Sequence, residues 1–194
     1  MANKKCVALT DEEYEECIQL LRSGFSFEGT NIKPNERIAT ICIVQCCLGL
    51  RLGDILKLRL TSFIKDGNRY RLDIKEQKTG KSRTFTVPAE VHSFIMNYAI
   101  ERGISKDAKL FDLSARQVQR HLRLVFKKMH IAGRCSTHSF RKRFTTKAYE
   151  ESGYNLELCR VLLQHSSLQV TQRYLSVSNQ QIEEVLASTV KNLL

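Results

Sequence analysis

With 194 residues and a 42% hydrophobic fraction, the chain is long and apolar enough for one domain with a buried core, which excludes a disordered protein. Its 31 Lys and Arg against 20 Asp and Glu leave a net charge of +11, so the expected partner is a polyanion, nucleic acid first and an anionic membrane surface second. No apolar run reaches the length of a membrane span and no signal peptide precedes the first predicted helix.

Residues 1–8 read as a loose basic tail. Thr10 with Glu13 is a capping box, and Tyr14, Cys17, Ile18 and Leu21 then recur at helical spacing until Gly24. A polar loop leads to Pro34, placed for the first turn of the next helix. From Ile38 to Leu48 that helix is apolar almost all round, which predicts the buried centre of the domain. Cys42, Cys46 and Cys47 fall in this run, where cysteine packs as a small hydrophobe. The seven cysteines include no C-x-x-C pair, so zinc is the minor alternative to reduced thiols in a cytoplasmic protein. Gly49 ends the helix, and Leu50 to Leu56 opens a short further one.

Tyr70, Leu72 and Ile74 alternate with charged residues, Thr79-Gly80 makes a turn, and Thr84, Phe85 and Val87 follow in extended register. This predicts a β-hairpin on a mainly α domain, an α+β fold with a small antiparallel sheet. Pro88 starts a helix bearing Val91, Phe94, Ile95 and Tyr98, closed by Gly103. Ser114 with Gln117 caps a helix that carries Arg116, Arg120, Arg123, Lys127 and Lys128 largely along one side. Such a stripe is either a solvated face or a track for phosphates. The further cluster Arg134, Arg141, Lys142, Arg143 and Lys147, with the global charge, favours the track.

The stretch from Thr137 to Tyr174 concentrates reactive residue types. His138 and Arg141 share a helical face, His165 follows a Leu-Leu-Gln turn, and Tyr174 comes nine residues later. An arginine grips a phosphate, a histidine moves a proton, and a tyrosine hydroxyl attacks, so this order points to phosphoryl transfer. The remaining histidines, His92, His121 and His130, lack partners at useful spacing and read as structural or surface residues. After Tyr174, Ser178 and Gln181 cap a last helix with an apolar stripe from Ile182 to Leu193.

His138-Ser-Phe-Arg141, Leu163-Gln164-His165 and Thr171-Gln172-Arg173-Tyr174 together resemble the signature of the tyrosine recombinases, the phage integrase family. Leu48 to Leu56 resembles that family's G-L-R-x-x-E-x-x-L box, with Asp54 where Glu is usual. Phe140, Lys142 and Gln164 are smaller departures, and none removes a catalytic group. The resemblance covers the chain from about Leu9 and implies a catalytic domain over 9–177, with 178–194 as a C-terminal helix that docks on a neighbour or packs in cis. It implies that Arg51 and Arg141 clamp the scissile phosphate, that Asp54 buttresses Arg51, and that Tyr174 is the nucleophile. His165 donates to a non-bridging oxygen and His138 handles a proton or orients. Lys78 on the hairpin turn is the general acid, with Lys75 and Lys81 as alternatives.

The implied activity is site-specific DNA cleavage and rejoining through a 3′-phosphotyrosyl link, without metal, ATP or other cofactor. The implied partners are double-stranded DNA, contacted by Arg116, Arg120, Arg123, Lys127, Lys142 and Arg143, three further copies in a homo-tetramer, and an accessory DNA-bending or excision factor. The source is a bacterium, phage or mobile element. Most integrases carry a core-binding domain that has no counterpart here, so the chain is either a piece of a longer transposon or phage integrase or a stand-alone DNA-inversion recombinase. From a different class, a catalytically silent DNA-binding regulator would keep the same fold. A type IB topoisomerase ranks below both.

Overall fold

The computed structural model describes residues 6–78, 80, 82–163 and 167–172. His165, Tyr174, Lys81 and the expected helix over 178–194 lie outside the described residues, as do residues 1–5 of the expected tail.

The Thr10–Glu13 box forms as expected, each side chain accepting the other's amide, and opens α1, Asp11–Ser23. Residues 6–8 of the expected tail are held against the domain. The Val7 amide donates to the Arg134 carbonyl at 2.9 Å, and Leu9 is buried in the core. The polar loop after Gly24 is instead a small antiparallel hairpin, β1 Phe25–Phe27 paired with β2 Thr30–Ile32. Strands of three residues are too short for alternation to stand out. Pro34 lies before the next helix rather than inside it, because the Asn35 side chain caps that helix by accepting the Ile38 amide.

Helix α2, Glu36–Leu48, is the core element that its composition predicts: Ile38, Ala39, Thr40, Ile41, Cys42, Val44, Gln45 and Leu48 are all buried. Burial pushes the Cys17 thiol up to about 12 and the Cys42 thiol well above its ordinary value. Both stay protonated and act as packing groups. Beyond Gly49 comes the short helix α3, Leu52–Ile55.

The predicted hairpin is β4, Arg69–Lys75, with β5, Ser82–Val87, and a strand the alternation did not mark, β3 Phe63–Asp66, adds to its other edge. Leu72 sits opposite Phe63 and Phe85 and is fully buried, so this small sheet is stapled to the core. Tyr70 stacks on His92 of α4, Ala89–Glu101, with ring centroids 3.5 Å apart, a structural role for that histidine.

Helix α5, Ala115–Lys128, turns Val118, Leu122, Val125 and Phe126 inward and leaves Arg116, Arg120, Arg123, Lys127 and Lys128 exposed. Helix α6, Thr137–Glu151, packs on α2 and is followed by α7, Leu156–Leu163, and α8, Leu168–Gln172.

Gly49 carries the junction of α2 with the site. Its φ is 58°, left-handed, and a Cβ there would overlap the Phe144 ring of α6. Gly103 has a similar φ of 60° but open space around it. Gly49→Ala should therefore destabilise by about 2 kcal/mol or more, strain and overlap together, and lower Tm by at least about 5 °C. Gly103→Ala carries the strain alone and should melt higher than Gly49→Ala. Equal thermal melts for the two variants would remove the overlap from the account.

Candidate functional site

Three contacts immobilise the short loop from Gly49 to Arg51. The buried Gln45 side chain donates to the Leu50 carbonyl at 3.1 Å, the Gly49 amide caps α2 on the Gln45 carbonyl, and Arg141 Nη1 donates to the Gly49 carbonyl. Gln45 is a polar residue in an otherwise apolar helix, and holding this loop is its task.

Arg141 reaches that carbonyl from the first turns of α6, while its Nη2 donates to the Leu163 carbonyl at 3.0 Å. Its exposure is 0%, so one guanidinium bridges the end of α2, the body of α6 and the end of α7. A fully buried guanidinium is stable only where its N–H groups meet acceptors, and these backbone carbonyls supply them.

Arg51 stands at the N-cap of α3 in extended backbone. The carboxylate beside it is not Asp54. Arg51 Nη1 pairs with Glu76 Oε2 at 2.5 Å, and Asp54 Oδ1 instead accepts the Gln77 amide at 2.8 Å. The expected spacing argument fails because Arg51 precedes the helix, so the i, i+3 neighbourhood of a helical face does not begin until Leu52. Both carboxylates thus fasten the turn after β4 to α3, and that turn carries Lys78. Lys78 is exposed there, while Lys75 ends β4 and is exposed as well. Glu76 was missed from sequence because Lys75-Glu76-Gln77-Lys78 reads as a solvated hairpin end.

His138 lies in the first turn of α6, with its amide on the Ser136 hydroxyl at 3.2 Å. Desolvation comes first among the causes that hold its imidazole below the ordinary histidine value, followed by the charges of Arg141, Lys78, Arg51 and Lys142. Residues scattered through the sequence thus share one electrostatic neighbourhood, with a neutral imidazole among cations at pH 7. Burial and the neighbouring cations both disfavour protonation here. A bound phosphate reverses that and raises the pKa. We therefore expect DNA affinity to strengthen as pH falls into the acid range, with proton uptake on binding there, while at higher pH the bound imidazole stays neutral. Calorimetry in buffers of different ionisation enthalpy would detect the uptake, and His138→Gln should abolish it. Uptake that survives this variant would assign it elsewhere.

The basic stripe divides. Arg123 borders a cavity of about 300 Å³ that also touches His138, Phe126 and Ser136, so it extends the same neighbourhood. Arg120 lines a separate cavity on the other flank of α5 with Lys33 and Arg37. Arg116 and Lys127 are exposed on α5. Lys142 and Arg143, expected on DNA, are engaged within the fold. Lys142 is buried, with Nζ on the Cys6 carbonyl at 2.6 Å, and Arg143 pairs with Asp11 and lies over the Tyr14 ring at 4.6 Å. They face α1 and the N-terminal segment because they follow Arg141 around the helix, away from its inward side. Among the described residues no group of three or more His, Cys, Asp or Glu could hold a metal ion, and no helix is long and apolar enough to cross a membrane.

The sequence matches the phage integrase family over residues 8–181. It is 27% identical over 200 residues to tyrosine recombinase XerA of Pyrococcus furiosus, covering 96% of this chain and 64% of that protein. Its fold is similar to that of the XerH site-specific recombinase bound to palindromic difH substrate in a post-cleavage complex. That likeness has a TM-score of 0.74 at 21% identity, covering 96% of this chain and 54% of the other. It is also similar to the catalytic domain of bacteriophage HP1 integrase, with a TM-score of 0.63 at 15% identity, covering 94% of this chain and 95% of that domain. The chain thus spans less than two thirds of the XerA relative, and nearly the whole of the isolated catalytic domain.

Proposed function

The chain belongs to the phage integrase family, and we propose that it is the catalytic part of a site-specific DNA recombinase that cuts and rejoins strands through a 3′-phosphotyrosyl link on Tyr174. The observation that carries this reading is that Arg141 on α6, the helix of His138, holds the loop before Arg51, while Arg51 and Asp54 hold the turn that bears Lys78. Cations gathered around a histidine held below its ordinary pKa suit an anionic phosphodiester whose charge grows in the transition state.

In the proposed reaction the Tyr174 oxygen forms a bond to the scissile phosphorus as the bond to the 5′ oxygen breaks. Arg51 offsets the phosphate charge at close range. Arg141, fully buried, acts by its charge, and by direct hydrogen bonds on giving up one of its carbonyls. Neutral His138 takes the tyrosine proton, Lys78 protonates the departing 5′ oxygen, and His165 donates to a non-bridging oxygen. Attack by a 5′-hydroxyl of a second duplex reverses these steps and joins exchanged strands. Arg116, Arg120, Arg123 and Lys127 would track phosphates of the duplex. Assembly as a tetramer through residues 178–194, with an accessory DNA-bending factor, belongs to the same reading.

The test is a nicked suicide duplex bearing the end sequence of the element that encodes the chain, incubated with the protein and a chelator. A covalent protein–DNA band is expected, and mass spectrometry of the DNA-linked peptide should place the bond on Tyr174. Salt-sensitive binding with no covalent product would overturn the reading in favour of a silent DNA-binding regulator.

A further inference from the structure

Glu76 has no part in the chemistry just described, yet it is the partner the structure gives Arg51. Its side chain is 0% exposed, whereas that of Arg51 is 18% exposed. Among the described residues Arg51 has no other hydrogen-bond or ion-pair partner. One nitrogen of the guanidinium, Nη1, is therefore seated on a buried carboxylate, and the rest of the group is left to face a ligand. A carboxylate buried to this degree is stable as an anion only beside a cation, so Glu76 and Arg51 specify one another's position.

The second carboxylate separates two tasks. Asp54 Oδ1 holds the Gln77 amide, and the Gln77 side chain lies where a Cβ on Gly53 would come within 2.7 Å of its Oε1. The turn that carries Lys78 is thus already fastened to α3 by Asp54 and by this close packing. Glu76 adds a second tie between the two, and the group its carboxylate holds is the arginine itself.

We infer that Glu76 is a positioning residue: it orients the Arg51 guanidinium toward the scissile phosphate, taking the role that the sequence assigns to Asp54. The inference rests on the recombinase reading above. It makes Arg51 a pre-set clamp, because an arginine tethered at one nitrogen loses less rotamer freedom when phosphate meets the rest of the group.

The experiment compares the full wild-type chain with Glu76→Gln on three versions of the nicked duplex. One is an ordinary phosphodiester. The second replaces a non-bridging oxygen of the scissile phosphate with methyl, which removes the charge Arg51 must offset. The third replaces the bridging 5′ oxygen with sulfur, a leaving group that needs no proton and hence no Lys78. Glu76→Gln should slow covalent-complex formation about 10- to 100-fold on the phosphodiester. It should fall within about 3-fold of wild type on the neutral methyl substrate, where an oriented arginine no longer matters. Glu76→Asp, which keeps the charge on a shorter arm, should recover part of the loss on the phosphodiester.

Rescue by the sulfur substrate in place of the methyl one would overturn the inference, since Glu76 would then act through Lys78. Equal loss on all three substrates would also overturn it and leave Glu76 a folding residue. If wild type itself forms no covalent complex on any of them, the recombinase reading fails first, a result distinct from a defect confined to Glu76→Gln.

Discussion

Replacing Arg141 by alanine is expected to lower both stability and activity more than any other single truncation in the core. The change removes the donors that satisfy the Gly49 and Leu163 carbonyls and leaves a cavity at a position with 0% exposure. Losing a charged donor to two buried carbonyls together with the packing of a fully buried side chain should make the variant about 3–5 kcal/mol less stable, a fall in Tm of roughly 10 °C or more. The same change frees the loop that carries Arg51 and withdraws a positive charge from the phosphate site. Covalent-complex formation should drop by about 10³-fold or more. Arg141→Lys keeps the charge but lacks the fork needed to span both carbonyls, and should fall between the two in melting temperature. Thermal melts alongside single-turnover cleavage would check both effects. A variant that melts within about 1 °C of wild type would show that the bridge is not structural.

Tyr174→Phe is expected to remove the covalent product altogether while leaving DNA binding within about twofold of wild type. The substitution deletes one hydroxyl and retains the ring, so a folding defect is not anticipated. Loss of a covalent nucleophile costs several orders of magnitude, on the order of 10⁴ or more, which places the residual rate below detection in a gel assay. Filter binding or fluorescence anisotropy at matched salt would report the affinity. A covalent band that persists in this variant would assign the nucleophile to another residue. The expected outcome also separates a working recombinase from a silent regulator, which binds equally well with either residue.

The two variants probe different parts of the molecule. Arg141 is tested through its described contacts, whereas Tyr174 is tested through its place in a motif. The His138 titration lies between them, because its environment combines α6 with cations from α3 and the hairpin turn.

The helices α1, α2, α4 and α5 were legible from sequence because their signals are local, whereas α7 and α8 were not. Thr10–Glu13 and Ser114–Gln117 close their boxes within one turn, and the all-apolar run from Ile38 leaves no polar face to expose. The hairpin core was legible from strict alternation around Leu72. The strands β1, β2 and β3 were not, since three or four residues carry too little period to distinguish from a loop. Family membership was legible as well, since the His138–Arg141 pair and the Arg51 box are short patterns read along one strand of text.

What sequence by itself determined is thus the helical scaffold, the basic character and the residue types available for phosphate chemistry. Tertiary structure alone decided which carboxylate serves which cation. Asp54 is nearest to Arg51 in sequence, but the return of β4 brings Glu76 to it and sends Asp54 to the Gln77 amide. It likewise turned Lys142 and Arg143 toward the N-terminal segment and left Arg123 beside His138. The reason is physical. A cap or a helical stripe is specified by neighbours within a few residues, whereas a buried charge must take whatever partner the packing of distant elements delivers to it.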